Sequence, residues 1–96
     1  MTNEIRRHIE TLKLHGAQVY GPDKQRHDLT IEFVENAISE CIQSGFAAIT
    51  YDLFLPGIDE TMMIAAYPDG HVDSGSARNI CYIIATRTCM QAFLQN

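Results

Sequence analysis

Ninety-six residues suffice for one domain around one sizeable core, residues 1–96, and 46% hydrophobic with 20% charged residues is the balance of a globular chain rather than a disordered one. A net charge of −5 and a pI near 5.1 argue against nucleic acid or an anionic membrane as the direct partner, because both select basic surfaces. No run reaches the roughly 18 to 20 apolar residues that a bilayer span needs, Met1 to Leu12 has no apolar leader core, and Cys41, Cys81 and Cys89, odd in number and without Cys-x-x-Cys spacing, read as reduced and mostly buried thiols of a cytoplasmic protein.

A first helix is expected from Asn3 to His15, capped by Thr2 or Asn3 and stopped at Gly16. Its stripe of Ile5, Ile9 and Leu12 is narrow, so the helix should be half buried. Ala17 to Tyr20 suits a short strand, Gly21-Pro22-Asp23 a turn, and Lys24, Gln25, Arg26 and His27 an exposed polar connector. The second helix is the clearest element. Thr30 caps it, Gly45 stops it, and Phe33, Val34, Ala37, Ile38, Cys41 and Ile42 form a wide apolar stripe.

The period then changes to two. Phe46 to Leu55 reads as a strand, with Ile49, Tyr51, Leu53 and Leu55 on one face and Ala48, Thr50, Asp52 and Phe54 on the other. After the Pro56–Glu60 turn, Thr61 to Tyr67 reads as the returning strand, although Met62 to Ala66 alone also suits a helix. Pro68-Asp69-Gly70 is a tight turn, His71 to Asp73 a third short strand, and Ser74-Gly75-Ser76 the end of the sheet, with Ser74 or Ser76 capping a last helix from Ala77 to Leu94. That helix is apolar on most of its circumference, through Ile80, Cys81, Ile83, Ile84, Cys89, Met90 and Phe93, which places it centrally or at a subunit contact. The expected fold is α+β: a small antiparallel meander of two to four strands with two or three helices packed on one face, in the order α-(β)-α-β-β-(β)-α. Its open face should carry some of Ala48, Phe54, Met62 or Met63, and Ala65.

Charge is distributed unevenly along this framework. No lysine or arginine lies between Arg26 and Arg78, whereas Asp28, Glu32, Glu35, Glu40, Asp52, Asp59, Glu60, Asp69 and Asp73 all do. A solvated, solubilising surface accounts for acidic excess in general. An ordinary surface intersperses both signs, so a one-sign block also suits a field that steers a basic partner. Glu32 and Glu35 share one exposed helical face, Asp59 and Glu60 crown a loop, and Asp69 and Asp73 flank a turn. These six are the candidate partner-binding residues.

His71-Val72-Asp73 is the one fragment with a catalytic look. Residues two apart on a strand project to the same side, so the pair suits a base and its orienter, or two metal ligands. Ser74 or Ser76 would be the nearest nucleophile, but no glycine elbow accompanies them. His8 and His15, and likewise Cys81 and Cys89, are two helical turns apart, too far for a shared metal. Gly21-Pro22-Asp23-Lys24 lacks phosphate-loop spacing. No cofactor or metal is expected.

The residues therefore point to a non-enzymatic interaction module. Its description is that of a small acidic inhibitor, of immunity, antitoxin or phage counter-defence type, that occludes a basic surface of a partner protein, such as one that binds nucleic acid. A homodimer through the sheet or the last helix is a further expectation. The alternative is a small oligomeric enzyme or ligand-binding domain with its site near His71 and Asp73.

Overall fold

The computed structural model describes the backbone of residues 1–95 and the side chains of residues 1–88. Helix α1 spans Asn3–Leu14, β1 Gln18–Tyr20, β2 Arg26–Asp28, α2 Ile31–Ser44, β3 Ile49–Phe54, β4 Met62–Ala66, β5 Val72–Ser76 and α3 Ala77–Gln95. The fold is α+β, with the five strands in one antiparallel sheet of order β2-β1-β3-β4-β5.

Local chemistry sets the helix ends. Thr2 caps α1 by accepting from the Ile5 N–H at 3.2 Å, and Thr30 caps α2 by accepting from the Phe33 N–H at 3.0 Å. Gly45 stops α2 in the left-handed region, at φ 70°, where a Cβ would be strained. Ser76, rather than Ser74, caps α3 by accepting from the Asn79 N–H.

The sheet has one more strand than the two to four expected. The addition is β2, which pairs Asp28, His27 and Arg26 with Gln18, Val19 and Tyr20. All three of its side chains are exposed, so no apolar alternation marks it. Its hairpin is instead built by polar groups. Asp23 Oδ1 accepts from the Gln25 N–H and pairs with His27 Nε2, and Lys24 takes a positive φ of 63°. Strand β5 is also longer than His71–Asp73. Ser74, Gly75 and Ser76 pair with Ile64, Met63 and Met62, so they continue the sheet rather than end it.

The helices occupy both faces. Helices α1 and α2 lie on the first, where Ile9, Val19, Leu29, Val34, Leu53, Ile64 and Val72 form the larger core. Helix α3 lies on the second, where Ile80 packs with Ala65 and Tyr67, flanked by Ala48, Met63, Ile83 and Ile84. Two helices therefore share a face and the third does not. The cause is β4. Met62 and Ile64 point to the first core while Met63, Ala65 and Tyr67 point to the second, and a strand apolar on both faces has to be covered on both. Ala65 is consequently buried under α3 instead of lying on an open face. The Cys89, Met90 and Phe93 side chains lie outside the described residues. Among the described residues, no helix is long and apolar enough to cross a membrane.

Burial ranks the consequences of substitution. Leu53 is 2% exposed in the larger core and Leu14 is 87% exposed at the end of α1. Leu53→Ala is expected to cost about 2–5 kcal/mol, and Leu14→Ala to stay within about 0.5 kcal/mol of the parent, as read from the urea unfolding midpoints of the two variants.

Candidate functional site

Helix α3 covers β4 and β5 but leaves the β1, β2 and β3 part of the second face open. Period two on β3 projects Asp52 and Phe54 onto this open part. Cross-strand pairing sets Gln18 beside Phe54, and Arg26 of β2 lays its guanidinium 3.8 Å above the centre of the Phe54 ring, a cation–π contact. The β3–β4 loop, turned at Gly57 with φ 81°, brings Ile58, Asp59 and Glu60 to the rim. Together these residues line a cleft of about 460 Å³. Its walls carry three carboxylates, Asp52, Asp59 and Glu60, against one arginine that already sits on an aromatic ring.

The carboxylates of the chain divide by whether they are engaged. Glu35 meets Arg6 at 2.9 Å and Asp69 meets Arg87 at 2.8 Å. Asp73 accepts from the Tyr67 hydroxyl at 2.7 Å and pairs with His71 Nε2 at 2.9 Å. In contrast, Glu32, Asp52, Asp59 and Glu60 are exposed and form no ion pair among the described residues. Glu32 lines a second shallow cleft with Asp23, Asp28 and Phe33 at the β2 edge. Asp28 accepts from Gln18 Nε2 at 3.5 Å, and Gln18 also lines the first cleft. This contact links the rims of the two clefts across the edge of the sheet, and their carboxylates are together termed the acidic belt, from the start of α2 to the β3–β4 loop. Of the six acids singled out by sequence, Glu32, Asp59 and Glu60 lie on this belt, Glu35 is held by α1, and Asp69 and Asp73 stand at the opposite end of the sheet. Asp52 is the belt residue that the sequence reading placed on a strand face without assigning it a role.

At that opposite end, the strand period does bring His71 and Asp73 together. They belong to a larger cluster whose other members come from far along the chain. The Tyr67 ring stacks on the His71 imidazole at 5.8 Å and receives the Arg87 guanidinium at 3.9 Å. Burial, then the hydrogen bond to Asp73, pushes the Tyr67 hydroxyl pKa well above its ordinary value of 10. The His71 backbone N–H holds Asp69 below its ordinary value, partial burial opposes this, and Arg87 adds to it. No serine joins the cluster. Ser74 Oγ lies on the first face, 2.8 Å from His8 Nε2, and Ser76 caps α3. Among the described residues, no group of three or more His, Cys, Asp and Glu is arranged to hold a metal.

The thiols also separate. Cys41 is buried, donating to the Ala66 carbonyl at 3.4 Å, and burial raises its pKa. Cys81 is exposed, contrary to its expected burial. It borders an apolar groove with Phe46, Ala48, Met63 and Ile84, because α3 packs on the sheet through Ile80 and leaves Cys81 on its flank. No family model matches this chain, and no curated protein and no solved structure matches it.

The shifted tyrosine has a measurable consequence. Above pH 10 the unfolded chain ionises Tyr67 while the folded chain keeps it protonated, so its contribution to stability is whole below pH 10 and is lost as pH rises beyond it. Urea unfolding between pH 8 and about 11 is expected to show this alkaline loss in the parent, and a shallower loss in Tyr67→Phe.

Proposed function

We propose that the chain is a non-enzymatic, cytoplasmic interaction module whose acidic belt takes a basic surface of a partner protein. The reading is that of a small inhibitor of the immunity, antitoxin or phage counter-defence kind. It would occlude a groove that otherwise receives phosphates. The observation that carries it is the convergence of Asp52, Asp59 and Glu60 on the one part of the sheet that α3 leaves open. Carboxylates without an internal counter-charge are available to an incoming lysine or arginine, and Phe54 and Ile58 add apolar area beneath them. Glu32 extends the same surface. Glu35, Asp69 and Asp73 remain candidate contacts, but a partner has to compete there with Arg6, Arg87 and His71. The reading includes a homodimer, through the sheet or the last helix.

A second reading, a small oligomeric enzyme or ligand-binding domain, is favoured by the 2.9 Å pairing of His71 with Asp73 beside the buried Tyr67 hydroxyl. Under it, purified protein carries a ligand or metal visible by native mass spectrometry, and His71→Ala loses that species while keeping the fold.

The belt is tested with matched charge reversals. One triple variant carries Asp52→Lys, Asp59→Lys and Glu60→Lys; its control carries Glu4→Lys, Glu10→Lys and Glu40→Lys, the same change in net charge placed elsewhere. Binding of an arginine-rich peptide and of the partner captured from the native host is expected to weaken by roughly tenfold or more in the belt variant, and to fall with salt as the Debye length shortens. Equal loss in both variants, or binding indifferent to salt, sinks the reading.

A further inference from the structure

The two edges of the sheet are built differently. Strand β2 is three residues long and carries Arg26, His27 and Asp28, all exposed, which is how an edge is kept from pairing. Strand β5 is five residues long and pairs with β4 alone. It has no lysine, arginine or proline, and its Asp73 is already held by Tyr67 and His71.

The ladder shows which backbone groups of β5 are free. The Tyr67 N–H donates to the His71 carbonyl at 3.0 Å, and the Ala77 N–H to the Thr61 carbonyl at 2.9 Å. Hydrogen-bonded pairs recur every second residue in an antiparallel ladder. His71, Asp73, Gly75 and Ala77 therefore turn their backbone groups toward β4, and Val72, Ser74 and Ser76 turn theirs outward.

We infer that this edge is the seam of the homodimer, which rests on the dimer included in the reading above: β5 pairs antiparallel with β5 of a second copy, on a two-fold axis at Ser74. In that register Ser74 faces Ser74 and exchanges both its backbone bonds, and Val72 faces Ser76, so the Ser76 N–H meets the Val72 carbonyl while the Ser76 carbonyl serves the first turn of α3. Asp73 falls opposite Gly75, so no carboxylates oppose each other across the seam. The same register carries the second copy's Arg78 toward the acidic Asp69 end of β5. Helix α3 supports the arrangement. Cys81, Ile84 and Ala85 border the groove on its β3 side, so at about 100° per residue Ile83 and Thr86 fall on the flank beside the β5 edge. Ile83 is half-buried there and gains cover from the second copy.

Sedimentation velocity across a concentration series and amide hydrogen exchange on the unmodified protein test this seam. The expected result is a monomer–dimer equilibrium in which the Ser74 and Ser76 amides gain protection as the dimer forms. Ser74→Pro removes an N–H that β4 does not use, so it should raise the dimer dissociation constant roughly tenfold or more. Ser74→Ala, which loses only the hydroxyl bonded to His8, should leave that constant unchanged. A dimer that keeps its strength in Ser74→Pro, with fast Ser74 and Ser76 exchange, overturns the seam while leaving a dimer by another surface such as α3. A monomer at every concentration overturns the seam and the dimer together, and leaves the acidic belt to its own test. Protection of the edge only by an added extended peptide assigns it to a different partner and overturns the self-pairing.

Discussion

Strand β4 is the constraint on which the rest of the structure depends. Its side chains alternate between two cores, Met62 and Ile64 into one, Met63, Ala65 and Tyr67 into the other. Leaving either set in water would forfeit about 25 cal/mol for each Å² of apolar surface exposed. Helices α1 and α2 meet the first demand. The second falls to α3, because the chain leaves β5 at the outer edge of the sheet and has to return over β5 and β4. A single helix is narrower than five strands spaced about 4.8 Å apart, so part of the second face stays open. The acidic cleft is that uncovered part. Its position follows from where the apolar strand lies, and its charge from which residues β3 and the β3–β4 loop present there.

Burying Tyr67 in the smaller core creates a second requirement. Its ring adds apolar area, but its hydroxyl has to keep a hydrogen bond. Asp73 supplies the acceptor, and His71 holds the second oxygen of Asp73. Arg87 covers the ring and engages Asp69. What reads along the strand as a base and its orienter is, in three dimensions, also the support of a buried phenol. The same contacts explain why the two ends of the sheet differ electrically. At the α3 end, carboxylates are matched by Arg87 and His71. At the β3–β4 end, the cation lining the cleft is Arg26, and it rests on Phe54.

How much of this is legible in the sequence depends on whether a feature is local. Helix α2 is legible because Thr30, Gly45 and a broad stripe agree over consecutive residues. The pairing of His71 with Asp73 is legible because it needs only the two-residue period of a strand. Strand β2 is not, because a hairpin held by Asp23, His27 and a left-handed Lys24 leaves no apolar pattern. The face taken by α3 is harder still. Its apolar residues surround the helix, so no stripe points to the sheet; the clue lies in the unbroken Met62–Ala66 run, which suits a strand covered twice. Arg87 and Tyr67 are twenty residues apart, and only the return of α3 over β4 brings them together.

The charge asymmetry and the edge asymmetry have a common origin in chain direction. The meander β3-β4-β5 grows away from β1 and β2, so the polar hairpin closes one side of the sheet and the small residues of β5 form the other. The hairpin side carries exposed charge, which resists strand pairing and suits recognition by charge. The β5 side carries serines and glycine, which suits pairing through the backbone. A partner drawn by charge and a second copy added at the edge would therefore occupy opposite sides of the same sheet, without competing for residues. Strand β4 lies between them, anchored in both cores, so occupation of one side need not disturb the other.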